Sequence, residues 1–352
     1  MNLETQIVPD MNVPVLIAAP GSKTANPTQL SELISARHAE IIEQLNRYGA
    51  FLFRGFSCTD ADFFSQAIDL CGLGKRCSTK DYDLPRTILS NEIYTSSDFP
   101  AHISLPLHHE KPRSKNPPHH IYFCCVIPAK QAGGTLFANA AAIWRDMPIK
   151  IQDKIIEYGV VYKQFFHGKT MQASVLKKFL DAKYVRSWSE YFGTDAKMPI
   201  EKKITQDEVD WSWVNKGNDL VILNKLPGAL KHPVTHQTLW FNASEYLNYY
   251  SNLLYSDLNS LPFYQYSTMR YLILKDRLPM VCHYGDGTPF TAEEIVKIKR
   301  IMQHHTCVFH WQKGDFMIID NYTFMHGKEP HQGERLLYSC MTQKQEQTKL
   351  GT

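Results

Sequence analysis

The chain is predicted to adopt an α+β fold around an antiparallel β core, and three features carry that prediction. Amphipathic helical patterns crowd the N-terminal end, short β-like runs punctuated by Pro and Gly begin near Leu105, and runs of the same texture recur beyond a long mixed stretch. The β runs that belong together thus lie on both sides of that stretch. We expect one domain over residues 1–352, with about 147–305 forming a mixed helical and loop insertion that caps the core.

The N-terminal elements come first. After an apolar run at Val13 to Ile17, Asn26 and Pro27 supply a cap and first-turn signal for one helix bearing Leu30, Leu33, Ile34, Ile41 and Leu45 and ending near Gly49. AFLFRGF predicts a strand from Ala50 to Phe53, and Thr59 opens a further helix with Phe63, Phe64, Ala67 and Ile68 on its apolar side. HIYFCCVI, GGTLFAN, FMIID and RLLYSCM supply core strands. Amphipathic helices at Pro148 to Tyr158 and Glu293 to Met302 belong to the insertion. No internal repeat or low-complexity tract interrupts the chain.

With 43% hydrophobic and 21% charged residues, the chain can bury a substantial core, which excludes disorder as its main state. The 38 Lys and Arg against 35 Asp and Glu leave a net charge of +3 without a dense basic block, which argues against nucleic acid or a membrane surface as partner. No apolar run approaches the roughly 20 residues of a membrane span. The opening MNLETQIVPD lacks the charged and apolar regions of a signal peptide, so a cytoplasmic location is expected. The 8 cysteines include no CxxC and read as reduced, mostly buried thiols. Cys124 and Cys125 are adjacent on a strand and should face opposite ways.

The segment Leu105-Pro-Leu-His-His-Glu110 is the most informative. Residues i and i+2 of an extended segment share a face, so His108 and Glu110 can address one ion while His109 turns away. Imidazole and carboxylate suit a first-row divalent metal, and two histidines with one carboxylate leave coordination positions open. The best third ligand is His326, which follows FMIID and a turn and precedes a glycine. With 15 histidines in the chain, a His-x-Glu carries little weight alone. The pairs His119/His120 and His304/His305 compete, but neighbours on a strand point apart and neither pair has a carboxylate at i+2. The nearby Arg335 and Gly133-Gly134-Thr135 add a guanidinium and a hydroxyl, the groups that hold a dicarboxylate.

The ordered set FLFRGF, YTSSDFPA, PLHHE, GGTLFAN, RSWSEYFGTD, HPVTHQTLWFN, HYGDG, FHWQKGDFMIIDN, MHGKEP and GERLLYSCM spans most of the chain. In it the sequence resembles the iron(II)- and 2-oxoglutarate-dependent dioxygenases of the taurine dioxygenase and clavaminate synthase-like superfamily, particularly the SyrP-like amino-acid hydroxylases. The resemblance implies a double-stranded β-helix, or jelly roll, with flanking helices. It implies Fe(II) on His108, Glu110 and His326, and 2-oxoglutarate on Arg335 with help from Thr135, with O2 as second cosubstrate. The carboxylate of Glu110 argues against halogenation, since halogenating relatives lack that ligand.

Three departures bear on the pocket. GGTLFAN is one residue shorter than the usual GGxT form, Ser339 stands where some relatives place a second Arg for an anionic substrate, and Asp219-Leu-Val-Ile222 lacks an Arg that relatives carry. The expected reaction is hydroxylation of an amino acid or amino-acid-derived small molecule, free or tethered to a carrier protein. Desaturation, epoxidation and cyclisation use the same cofactors, and a non-catalytic metal-binding jelly roll is the competing class. An α-amino acid needs an acidic acceptor with cationic or hydroxyl donors, for which the candidates are Arg86, Tyr94, Ser96, Ser97, Asp286 and Ser339. Asp315, Asp320 and Asn321 are expected to fix turns, and Trp240-Phe241-Asn242 to pack in core and loop.

Overall fold

Side chains alternate across the strand His120–Ile127, and two cores are built on its two faces. Tyr122 and Cys124 enter a core with Phe53, Phe316 and Ile318 and with the helical residues Leu33, Ile41, Phe64 and Ile68. Ile121, Phe123 and Cys125 enter another, shared with Phe137, Phe309 and Phe324. The adjacent cysteines therefore do face opposite ways, and all 8 cysteines are free thiols, most of them buried.

The structure is a computed structural model that describes residues 4–8, 11, 13–17, 27–56, 58–77, 87–96, 100–179, 187–251, 262–264, 267 and 277–343. Two units are distinguished: Met1–Asp146 with Lys231–Trp240 and Met302–Thr352, and Met147–Leu230 with Phe241–Ile301.

In the first unit, among the described residues, a 9-stranded sheet is centred on Ala50–Arg54, Phe316–Asp320, His120–Ile127 and Leu336–Gln343 in that order. Its pairings are antiparallel apart from Val13–Ile17 against Ala50–Arg54, which is parallel. A 4-stranded antiparallel sheet runs Thr306–Phe309, Thr135–Asn139, Phe324–Lys328, Leu105–His108. Apolar side chains of both sheets share the second core, so the sheets stack as a sandwich. Burial of each of Phe137, Phe309 and Phe324 contributes roughly 1.5–3 kcal/mol.

Helices cover the outer face of the large sheet through the first core. The single N-terminal helix expected from Leu30 to Leu45 is two helices, Pro27–Ala36 and His38–Tyr48, joined at Arg37. The joint is invisible to periodicity because the backbone bonds Arg37 N–H to Leu33 O and Ile41 N–H to Arg37 O continue through it. Asn26 lies outside the described residues. Gly49 ends the second helix at φ +79°, and a Cβ there would lie 2.4 Å from Thr323 Cγ2. The next helix, Ala61–Cys71, is capped by Asp60 rather than Thr59: the Asp60 carboxylate accepts from Phe63 N–H at 2.8 Å.

The second unit has its own antiparallel sheet, ordered Asp210–Val214, Asp219–Leu226, Val160–Phe166, Met280–Tyr284. Phe166, Leu220 and Ile222 of that sheet pack on Ile200 and Ile204 of the helix Lys197–Gln206 and on Trp188. Ser187 and Glu190 form a capping box that starts the short helix Trp188–Phe192. The helices Ile149–Tyr158 and Ala292–His304 lie where the amphipathic patterns predict, linked by Lys154 Nζ to Glu294 at 2.8 Å. No described helix is long and apolar enough to cross a membrane.

Replacing Asp60 with Ala removes the acceptor for an orphan helix N–H and should cost about 1 kcal/mol. A lower urea midpoint at unchanged slope is the expected result; an unchanged midpoint means that the cap contributes nothing.

Candidate active site

Antiparallel pairing of Leu105–His108 with Phe324–Lys328 sets His108 directly opposite His326, with ring centroids 4.4 Å apart. His326 thus lies within a strand that follows the expected turn at 321–323. Gly327 explains the residue type that follows it, since a Cβ there would sit 2.5 Å from the Leu105 carbonyl oxygen. Any side chain would push the two strands apart at the point where the histidines meet.

Glu110 lies beyond the end of the strand and needs another support. Asn321 provides it: its Oδ1 accepts Glu110 N–H at 2.8 Å, and its Nδ2 donates to Glu110 O at 3.0 Å and Pro118 O at 2.9 Å. Glu110 Oε1 then lies 3.4 Å from His326 Nε2, and ligand atoms of His108, Glu110 and His326 fall within 4.8 Å of one another. All three residues are buried. His108 Nδ1 donates to Pro106 O at 2.9 Å, which directs the Nε2 lone pair toward the shared space. Two imidazole nitrogens and a buried carboxylate converging there fit a divalent transition-metal ion such as Fe(II).

His109 turns away as expected, its ring lying between the carbonyls of Asn321 (2.6 Å) and Trp240 (2.9 Å). Burial pulls its pKa down to about 4 despite those carbonyls. The neutral ring carries a single N–H and can serve only one of them. His232 accepts the N–H groups of Val234 and Thr235 on Nδ1 and donates from Nε2 to Asp320 at 2.9 Å. Burial would raise the Asp320 carboxyl, but His232 holds it below its ordinary value. Asp320 also accepts from Tyr322 and Thr323 N–H, so Asp320 and Asn321 do fix the turn before His326. The expected packing of Trp240, Phe241 and Asn242 also holds, since all three are buried.

Arg335 donates from Nε to Gly133 O at 2.9 Å and from Nη2 to Thr135 Oγ1 at 3.2 Å. Trp311 Nε1 donates to the same hydroxyl at 2.7 Å, a role that nothing in the sequence signalled. With two N–H groups on its lone pairs, the Thr135 hydroxyl has its proton left to give to an acceptor. Burial pulls Arg335 down to about 10, which leaves it charged at neutral pH. Lys328 was missed as well. It is buried, its ammonium is pulled down to about 8 by burial and then by Arg335, and its i+2 spacing from His326 was the signal available.

The remaining expected substrate residues are scattered. Tyr94 and Ser339 are both buried and are cross-strand partners; Tyr94 Oη donates to Glu92, while Ser339 Oγ is buried without a hydrogen-bond partner among the described residues. Ser96 N–H donates to Leu337 O at 2.8 Å. Asp286 belongs to the second unit, is exposed, and accepts from the amide and hydroxyl of Thr288. Arg86 and Ser97 lie outside the described residues. Of the competing histidines, His305 pairs with Asp146 at 2.8 Å and His119 packs against Tyr322.

Known proteins are similar to this chain in sequence or in fold. The sequence profile of the family described as Taurine catabolism dioxygenase TauD, TfdA family matches residues 13–341. The chain is 27% identical over 299 residues to the dapdiamide synthesis protein DdaC of Enterobacter agglomerans, covering 85% of this chain and 83% of that one. It is 22% identical over 335 residues to a clavaminate synthase-like protein of Arabidopsis thaliana, covering 93% of each. Among solved structures, AAD-2 in complex with Mn(II) and N-oxalylglycine superposes with a TM-score of 0.52 at 12% identity, covering 98% of this chain and 99% of that one. A protein from Burkholderia xenovorans described as an alpha-ketoglutarate-dependent taurine dioxygenase gives 0.51 at 13%, covering 98% and 93%. Both are likenesses of fold.

Removing the Asn321 side chain would leave Glu110 N–H and Pro118 O without their partner and free the ligand-bearing loop. Asn321→Ala should weaken Fe(II) binding about 10- to 100-fold, as loss of a group that orients a metal ligand does. Anaerobic Fe(II) titration checks this, and wild-type affinity in the variant would show that the loop is held by other contacts.

Proposed function

The chain belongs to the TauD/TfdA family, a family of Fe(II)- and 2-oxoglutarate-dependent dioxygenases, and from that membership we propose that it oxidises an unactivated C–H bond of an amino acid or amino-acid-derived small molecule, most simply by hydroxylation. The observation that carries this reading is the buried convergence of His108, Glu110 and His326 beside the Arg335–Thr135 pair. In this reading the two sheets of the first unit form a double-stranded β-helix, and the chain works in the cytoplasm as one oxygenase domain. The relative named for dapdiamide synthesis supports a biosynthetic rather than a degradative role.

His108, Glu110 and His326 would hold Fe(II), and Arg335 and Thr135 the distal carboxylate of 2-oxoglutarate. Iron with 2-oxoglutarate and dioxygen supplies an oxidant able to break a C–H bond: one oxygen atom enters the product, the other enters succinate, and carbon dioxide leaves. The protein's own residues supply position and dryness. The cross-strand pair fixes the two imidazoles, Asn321 fixes the backbone that carries the Glu110 carboxylate, and a charge-assisted contact of Arg335 with an incoming carboxylate would set the cosubstrate's reach. Low exposure of all three ligands excludes bulk water from the reacting centre.

The test is a panel of free and carrier-bound amino acids with Fe(II), ascorbate and 2-oxoglutarate, following succinate and product mass. A product heavier by one oxygen atom, formed in step with succinate, is expected for at least one member and should vanish in Glu110→Ala. Persistent coupled turnover in that variant removes Glu110 from the metal set. Turnover of a lipid or nucleobase, with the amino acids giving only uncoupled succinate, overturns the substrate class alone.

Arg335→Lys keeps the charge but loses the planar fork. Its apparent KM for 2-oxoglutarate should rise more than that for the prime substrate. An equal rise in both places Arg335 elsewhere in the mechanism.

A further inference from the structure

Lys328 is a buried cation that the roles assigned above do not use. Strand register puts it opposite Thr135, and it stands two residues from His326, so its side chain leaves the strand on the face that carries the ligand histidine and the Thr135 hydroxyl. Among the described residues its ammonium donates to one group, the Pro100 carbonyl at 3.3 Å, and neither Lys328 nor Arg335 has a carboxylate within ion-pair distance. An ammonium has three N–H groups, so two have no acceptor among the described residues. Arg335 stands on the same side, donating to the hydroxyl of Thr135, which faces Lys328 across the ladder. Among the described residues neither the buried Lys328 nor the half-buried Arg335 has a counter-ion, and a ligand anion would compensate both charges.

We propose that Lys328 is a second cationic anchor for the distal carboxylate of 2-oxoglutarate, donating to it from the side opposite Arg335 and Thr135. The proposal rests on the reading of Arg335 as the cosubstrate's anchor. It gives the carboxylate three kinds of donor, a guanidinium, a hydroxyl and an ammonium, and it explains why a lysine is tolerated on the inner face of a core strand. The group recognised is the terminal carboxylate of a five-carbon 2-oxo diacid, not the keto-acid end that a metal would chelate.

The experiment compares anaerobic binding of 2-oxoglutarate and of 2-oxopentanoate, its analogue with a methyl group in place of the distal carboxylate, to Fe(II)-loaded wild type, Lys328→Met, Lys328→Arg and Arg335→Lys. Lys328→Met should weaken 2-oxoglutarate about 10- to 100-fold, the usual worth of a charged hydrogen bond, and leave 2-oxopentanoate unchanged. Lys328→Arg should restore most of the loss. Ligand-free Lys328→Met should also melt no lower than wild type, because Met fills the same space without an uncompensated charge. A Lys328→Met variant that loses affinity for both oxo acids alike, for neither, or melts well below wild type overturns the proposal. If Arg335→Lys still discriminates against 2-oxoglutarate in that case, the Arg335 reading survives. Equal binding of the two oxo acids by the wild type defeats both.

Discussion

The pairing of Leu105–His108 with Phe324–Lys328 is the constraint on which the site depends. A cross-strand pair holds two side chains about 4.5–5.5 Å apart at Cβ without any help from their own chemistry, so the backbone ladder alone brings His108 and His326 to ligating distance. The register then shifts between His326 and Lys328, and Gly327 sits at that shift because the Leu105 carbonyl occupies the space a Cβ would need. The placement of the two histidines is therefore set by main-chain hydrogen bonds and one missing side chain. Both strands belong to a sheet held in place by the shared core of Phe137, Phe309 and Phe324, which couples the packing of the sandwich to the position of the ligands.

The third ligand shows a different strategy. Glu110 stands outside the ladder, and its backbone is gripped on both sides by one amide, Asn321, which belongs to the turn leading to His326. The two halves of the ligand set, distant in sequence, are thus locked by a side chain as well as by a sheet. The same turn is braced by Asp320 through His232, and the His109 ring lies between the carbonyls of Asn321 and Trp240, able to donate to one of them. The segment Lys231–Trp240 consequently belongs to the first unit although long stretches of the second precede and follow it in sequence.

Much of this was legible in the residues. Continuous apolar runs marked His120–Ile127 and Phe316–Asp320, because strands buried on both faces carry apolar side chains throughout. His-x-Glu and a distant His before Gly pointed to residues that the fold brings together. What sequence reading missed were relations that leave no periodic trace. The kink at Arg37 preserves the hydrogen-bond ladder, so one helix and two helices share a pattern. Asn321 and Trp311 act through side chains whose partners lie far away in sequence, and Asn in a turn or Trp in a core has an ordinary explanation that local reading prefers. The substrate residues were least legible, since a hydroxyl or carboxylate on a loop serves its own turn as readily as a ligand, as Asp286 does for Thr288.

Charge distinguishes the two ends of the row of polar residues that runs from His326 to Lys328 and Arg335. At one end a buried carboxylate faces two imidazoles, an arrangement that gains from a metal cation. At the other, Arg335 and Lys328 stand without acidic partners among the described residues, and the Thr135 hydroxyl, its lone pairs occupied by Arg335 and Trp311, has a proton to offer an anion. Buried charges that lack partners in the protein weigh against the folded state until something of opposite sign arrives. Whatever binds with its anion toward Arg335 and Lys328 must therefore also stabilise the fold, by the linkage that joins binding to folding. A neutral or cationic ligand would leave those charges uncompensated, so in the proposed reading the protein's own electrostatics favour a cosubstrate with an acidic tail before any contact with a metal is considered.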